Sequence, residues 1–321
     1  MVLLQGCFTR SQAEAAGVGH RAIDEHLRAG RWRSVHNGVL IDRTEGIDAD
    51  RYQAALATQF RDRGWLDGVA LCRATAAALH GFVGVPEDPW VDIVVPRVWM
   101  PKHRPTGVRV HRGLTPSEHV VDLAGLPVTS VTWTALTLAR VQARVDAVVA
   151  ADAALRTGRC AVSDLRAGLP LLTGLRGCVQ AREVVDLARA ETDSPQETRM
   201  RMVLVEGGLP VPDVNIRLVD DYGQLLVRGE MGYEGLLIWL EYDGFDVHTR
   251  RDVFRSDRSR QNWLARRGWY VLRYTDQDLT RGRRRMIEEV LDARRGAPAR
   301  IAALPPGRSP EADAARCAFA R

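Results

Sequence analysis

Lysine is almost missing from this chain: Lys102 is the only one, so arginine supplies nearly all of the 45 basic residues. Together with the abundance of Ala, Gly and Val, this skew is what a GC-rich coding sequence produces. Cysteine is scarce and scattered. The five (Cys7, Cys72, Cys160, Cys178, Cys317) are odd in number and form no C-x-x-C pair, against a structural zinc site and a disulfide framework. They read as reduced, partly buried thiols. Long apolar runs are missing too, none approaching the roughly 20 residues that span a bilayer. Val2-Leu3-Leu4 is too short for a signal-peptide core, so a cytoplasmic location is expected, with no membrane partner. Internal repeats are absent, and only the end of the chain is compositionally biased.

What is present suits a globular protein: 45% hydrophobic and 26% charged residues over 321 positions, enough for two or three domains. A net charge of +5 is compatible with a nucleic-acid partner. The fold class expected is multidomain α/β. Residues 1–45 form a first block, 50–190 a second, 191–295 a third, and 296–321, rich in Ala and Pro, a flexible tail.

In the first block Thr9 is a candidate N-cap for a helix over Ser11–Ala16 that Gly17 stops. A second helix opens at Gly19 or His20, with Ala22, Ile23 and Leu27 at helical spacing, and ends at Gly30. Asn37-Gly38 between Trp32–His36 and Val39–Ile41 is a two-residue hairpin signal. Helix-turn-helix followed by a hairpin is the winged helix-turn-helix pattern, in which the second helix enters the major groove and wing arginines touch phosphate. Arg21, Arg28, Arg31 and Arg33 are the candidate nucleic-acid contacts, opposed by Asp24 and Glu25. The run FTRSQAEAAGVGHRAIDEHLRAGRWRSVHNGVL resembles the N-terminal winged helix of AbiEi-like type IV antitoxins, with Gly30, Trp32, Val35, Gly38 and Val39 on that pattern. The resemblance implies a DNA-binding control domain and a cognate toxin as partner; Trp32, Val35 and Val39 equally suit a small core.

The second block is expected to be an α+β middle domain. A helix over Ala74–His80, strands at Val91–Val95 and Val108–Arg112, and a long helix from Val131 are its clearest elements. Its GLPVTSVTWTALTLAR resembles a stretch of the antitoxin family, but Trp133 stands where the family tends to have Arg and Thr137 where it has Asp. His80, His103, His111 and His119 lack metal-ligand spacing and read as structural or exposed.

The third block carries a chemical signature. The expected order is α-β-β-β-α-β-α: a helix from Ser194 to Glu206, strands at Val214–Leu218, Leu225–Gly229 and the apolar run Leu236–Leu240, a helix over 251–266, a strand Trp269–Tyr274, and a helix from near Arg281. The run Leu236–Leu240 suits a central strand buried on both faces. Glu241 and Asp243, two residues apart on leaving it, share a face, with Cα atoms about 7 Å apart. Glu230 joins them if its strand is the neighbour. Three such carboxylates repel without a cation, and hard oxygen ligands suit Mg2+ or Mn2+, which could activate water toward a phosphodiester. Arg251, Arg255 and Arg258 would hold phosphate beside them.

This block resembles the PD-(D/E)xK endonuclease superfamily, closest to domains related to very-short-patch-repair endonucleases. The resemblance rests on Glu197 in the helix, Glu230 in RGEMGY, Glu241 and Asp243 in E-x-D-G, a downstream His248, the pair Asp257-Arg258, and G-W-x-V-L-R at Gly268–Arg273. It implies a restriction-endonuclease-like fold with Glu197, Glu230, Glu241, Asp243 and His248 as the catalytic set and Glu230, Glu241 and Asp243 as metal ligands. Two departures stand: Glu230 replaces an Asp, and Asp243 stands where the superfamily's lysine falls. Each residue has a plainer role open to it. Glu197 could close a capping box with Ser194, Glu230 could be a solvated strand end, and Asp243 could serve the turn before Gly244. Two functions follow: a Mg2+-dependent endonuclease associated with DNA, or a non-catalytic DNA-binding regulator or antitoxin on a degenerate nuclease fold.

Overall fold

The computed structural model describes residues 7–36, 39–42, 69–86, 90–96, 108–113, 115–123, 126–219, 224–244 and 260–304. The chain divides into two compact units, Met1–Ala188 and Arg189–Arg321, and is α/β in both.

The first unit opens with a small module: β1 (Cys7–Thr9), α1 (Arg10–Ala15), α2 (His20–Arg28), β2 (Trp32–His36) and β3 (Val39–Asp42). Its antiparallel sheet has the order β1-β3-β2, so β1, not expected from the sequence, pairs with the hairpin's second strand. Thr9 caps α1 as anticipated: its hydroxyl accepts from Gln12 N at 3.0 Å and the Gln12 amide oxygen accepts from Thr9 N at 2.7 Å. Gly17 takes the left-handed backbone, φ +88°, that ends the helix. Phe8, Ala13, Ile23, Trp32 and Leu40 make the core, with the Phe8 and Trp32 rings edge to face at 4.8 Å. The Asn37-Gly38 turn lies outside the described residues.

The remainder of the unit holds β4 (Ala70–Leu71), α3 (Arg73–His80), β5 (Val91–Val95), β6 (Val108–Arg112), β7 (Val120–Leu123) and β8 (Leu126–Thr129). They form a mixed sheet, β6-β5-β4-β8-β7, with β5–β6 and β4–β8 parallel. Val91, Ile93 and Val95 alternate inward onto Leu71, Ala76, Val108 and Val128, the two-residue period of a strand with one apolar face. Four helices follow: α4 (Val131–Val141), α5 (Arg144–Arg156), α6 (Val162–Gly168) and α7 (Cys178–Leu187). The single long helix expected from Val131 is therefore two. Backbone at Gln142 turns extended, and Gln180 Nε2 takes up the carbonyls of Ala139 and Gln142 at 2.8 and 2.9 Å. Every residue of α5 from Ala147 to Leu155 is buried, and small alanines let its neighbours close around it.

The second unit holds α8 (Pro195–Glu206), β9 (Asp213–Val219), β10 (Leu225–Tyr233), β11 (Ile238–Tyr242), helical residues 260–266, β12 (Tyr270–Tyr274), α9 (Asp276–Thr280) and α10 (Arg283–Ala302). Sheet order is β12-β11-β10-β9, with β11–β12 parallel and the other pairs antiparallel. The expected central strand is β11: Ile238 and Leu240 pack with Met200, Leu204, Met286 and Val290 on one face, while Trp239 packs with Leu264 and Trp269 on the other. It begins two residues later than expected, because Glu234–Leu236 form a 3-10 turn and Leu237 takes φ +51°.

The tail expectation is corrected in part. Helix α10 runs through Gly296 and Pro298 to Ala302, because Ala297 is buried and Ile301 and Leu304 pack against the Trp239–Trp269 core. Tertiary contact outweighs the cost of about 3 kcal/mol that an interior proline carries.

Candidate functional site

Glu197, Glu230, Glu241 and Asp243 come together where β10 runs beside the end of β11. Pairing of Met231 with Leu240 and Gly232 with Trp239 makes these strands antiparallel neighbours, which brings Glu230 beside Glu241. Both β9 and β10 turn over at this point. Ile216 pairs with Gly229 in the Trp239 half of the core, whereas Val214 and Met231, two residues along each strand, pack on the opposite face. Asn215 makes the switch at φ +54°. Glycine is required at 229, where a Cβ would lie 2.2 Å from the Trp239 ring.

Glu230 is half-buried and accepts from Tyr242 N at 2.7 Å. Burial pushes its carboxyl up to about 7, and the charges of Glu197, Glu241 and Asp243 push the same way against that hydrogen bond. The four carboxylates are thus one electrostatic cluster centred on Glu230.

Within the cluster Glu197 takes a plainer local role, whereas Glu230 lies inside β10 and is not a solvated strand end. Glu197 lies in the first turn of α8, where its N–H donates to Ser194 Oγ at 3.2 Å and its carboxylate accepts from Asp193 N at 2.9 Å. It therefore caps the helix, its reciprocal bond landing one residue before the cap, with Pro195 at the first helical position. Asp243 is exposed just past β11, and its N–H donates to Tyr274 O at 2.7 Å, prolonging the β11–β12 pairing. His248, Arg251, Arg255, Asp257 and Arg258 lie outside the described residues.

Glu241, buried like Glu197 at 5% exposed, lies on the same face of β11 as Trp239. Trp239 Nε1 donates to its Oε1 at 2.8 Å, and Arg260 Nη2 lies 3.0 Å from that oxygen. Arg273, directly opposite on β12, places Nε 3.0 Å from Oε2. Turned so that its oxygen faces Arg273, the Gln261 amide accepts from both terminal nitrogens, at 2.9 and 2.8 Å. Sequence pattern alone singles out neither Arg260 nor Arg273 as a partner of Glu241. A signal does exist for Arg273: in a parallel pair of strands the G-W-x-V-L-R motif carries its arginine alongside E-x-D-G.

This donor set does not fit a divalent cation. Both Glu241 oxygens face cationic nitrogens, and among the described residues no group of three His, Cys, Asp or Glu side chains is placed to hold a metal.

Of the four histidines in the second block, His80, His111 and His119 are taken up by protein partners, and His103 lies outside the described residues. His80 Nε2 is 2.7 Å from Thr129 O, and burial holds its pKa below the usual histidine value. His119 bonds Ser130 Oγ at 3.0 Å and stacks on Trp133, while His111 Nε2 lies 2.6 Å from buried Asp92. The positions where the antitoxin family tends to have Arg and Asp serve packing here. Trp133 is buried, and Thr137 Oγ1 donates to Thr134 O at 3.0 Å.

On α2, Arg21 and Arg28 are seven residues apart and exposed, on the side away from buried Ile23. Arg10 neutralises Asp24 at 2.7 Å, leaving Glu25 as the acid between them. Arg31 is exposed and donates from Nε to His26 at 2.9 Å; the side chain of Arg33 lies outside the described residues.

Residues 69–187, the mixed sheet with its helices, match the AbiEi antitoxin C-terminal domain. Over 249 residues, 77% of this chain and 89% of the relative, the sequence is 30% identical to uncharacterized protein MT2308 of Mycobacterium tuberculosis strain CDC 1551 / Oshkosh. The same values hold for uncharacterized protein Rv2248 of strain H37Rv. The chain belongs to the family of these mycobacterial proteins. A crystal structure of RV2827C protein from Mycobacterium tuberculosis is similar with a TM-score of 0.37 and 19% identity, over 60% of this chain and 74% of that one.

Proposed function

We propose that this protein is a non-catalytic regulator of antitoxin type, which binds duplex DNA through its N-terminal module and counters a cognate toxin. The observation that carries it is the antitoxin domain over residues 69–187. The toxin-directed activity belongs to that domain, and the DNA contacts to Arg21 and Arg28 with Arg31 and Arg33. The acidic cluster of the second unit is a structural feature of a nuclease-like sheet in this reading. Phosphodiester hydrolysis at a Mg2+ or Mn2+ ion would require Glu241 to release two guanidinium groups first.

The deciding experiment is expression of each gene flanking this one, alone and together with it. One neighbour should arrest growth, and this chain should relieve the arrest. Arrest that this chain leaves unchanged, or the lack of any toxic neighbour, overturns the proposal. DNA binding is tested separately by titrating the chain's own upstream duplex at several salt concentrations. The Arg21→Ala, Arg28→Ala double variant should weaken binding and reduce the salt slope by about 2, as loss of two phosphate contacts requires. An unchanged slope removes α2 from the interface.

A further inference from the structure

We infer that Arg260 and Arg273 stand in for a cation at Glu241, making it a permanently ion-paired anchor and the second unit a fold that needs no metal. A carboxylate this buried must be compensated, since a lone charge in the interior is strongly disfavoured. Here two guanidiniums at ion-pair distance supply the compensation without a ligand. Oε1 faces Arg260 Nη2 at 3.0 Å and accepts from Trp239 Nε1 at 2.8 Å, and Oε2 faces Arg273 Nε at 3.0 Å. The two guanidiniums come from different elements, Arg260 from the helical residues 260–266 and Arg273 from β12, while Glu241 belongs to β11. The carboxylate thereby ties a helix and two parallel strands together at one point, beside the Trp239–Trp269 core that the same helix covers with Leu264. Gln261 holds the far end of the Arg273 fork, so that arginine is oriented from both sides. Arginine suits this place because its guanidinium stays charged at all relevant pH and is planar and weakly hydrated, so its burial beside a carboxylate is less costly than that of an ammonium.

The inference holds whether or not the chain neutralises a toxin, and its test is thermal unfolding and calorimetry on the full chain. Wild-type Tm should be the same in chelator and in millimolar MgCl2 or MnCl2, and MnCl2 titration should release no heat beyond dilution. Arg273→Gln and Glu241→Gln should each lower the Tm of the second unit by several degrees. The double variant should lose less than the sum of the two single losses, because Glu241 and Arg273 no longer strand one another and only Arg260 lacks its counter-charge there. Saturable Mn2+ binding by wild type that Glu241→Gln abolishes, or a Tm that falls on chelation, overturns the inference. So do single variants that unfold like wild type. The wild-type measurements decide the question even if a variant does not fold.

Discussion

Among the described residues, each unit buries a carboxylate on a parallel strand pair, Asp92 in the first and Glu241 in the second, and the two are compensated differently. Asp92, 1% exposed on β5, faces Arg109 directly opposite on β6 with Nη1 at 3.4 Å, and His111 two residues on at 2.6 Å. Glu241 faces Arg273 directly opposite on β12 and a second arginine from a helix. The cross-strand arrangement is the same in both. At Asp92 the close contact is an imidazole, and the guanidinium is 44% exposed. At Glu241 both partners are guanidiniums, 35% and 25% exposed. A buried acid is therefore no pointer to a metal or to catalysis by itself. The number, kind and burial of the cations on the next strand decide what it does.

The comparison is broken most forcefully by removing each carboxylate. Glu241→Ala should cost the second unit about 3–5 kcal/mol, because two partly buried arginines lose their counter-charge at once. Asp92→Ala should cost the first unit less, about 1–3 kcal/mol. Arg109, 44% exposed, can turn to water there. Urea unfolding followed separately for the two units measures both losses. A larger loss at Asp92 would mean that the imidazole contact outweighs the two guanidiniums.

How much of this is legible in the sequence differs between the units for one physical reason. The run Leu236–Leu240 ending in Glu241 announces a central strand, because a stretch apolar on both faces is stable only where both faces are covered. Glu241 stands out because it ends that run. Asp92 does not stand out, because it lies inside the short strand V-D-I-V-V and does not end an apolar run. Arg260 is not legible as a partner of Glu241, since it is one of many arginines on a helix, and Arg273 becomes so only once β11 and β12 are taken as a parallel pair. The strands β1, β4 and β7, two to four residues long, carry too short a pattern to be seen. The break at Gln142 is hidden for a different reason. No glycine or proline marks it, and what stabilises it is Gln180, 38 residues away. At Glu197 the S-P-Q-E signature leads to the cap, which local geometry alone determines.

Glu230 sharpens the contrast by a smaller effect of opposite sign, for its close partner is a neutral backbone amide and not a guanidinium. Its folded-state pKa, raised from 4.5 to about 7 chiefly by burial, lies above the unfolded value, so the folded chain holds a proton that the unfolded chain has released. Stability from this group is therefore full below the unfolded pKa and declines as pH rises through the window from 4.5 to about 7, then stays level. The full shift corresponds to about 3 kcal/mol at most, and the solvent that reaches a half-buried side chain lowers it. Glu230→Gln keeps an oxygen to accept from Tyr242 N but carries no charge against Glu197, Glu241 and Asp243. The variant should match wild type at about pH 5 and exceed it in Tm at about pH 8, flattening the slope between. A variant that is less stable than wild type at the higher pH would show that Glu230 is ionised and charge-compensated in the folded state, as Glu241 is. The distinction between the two would then collapse, and the whole cluster would be a network neutralised by arginine.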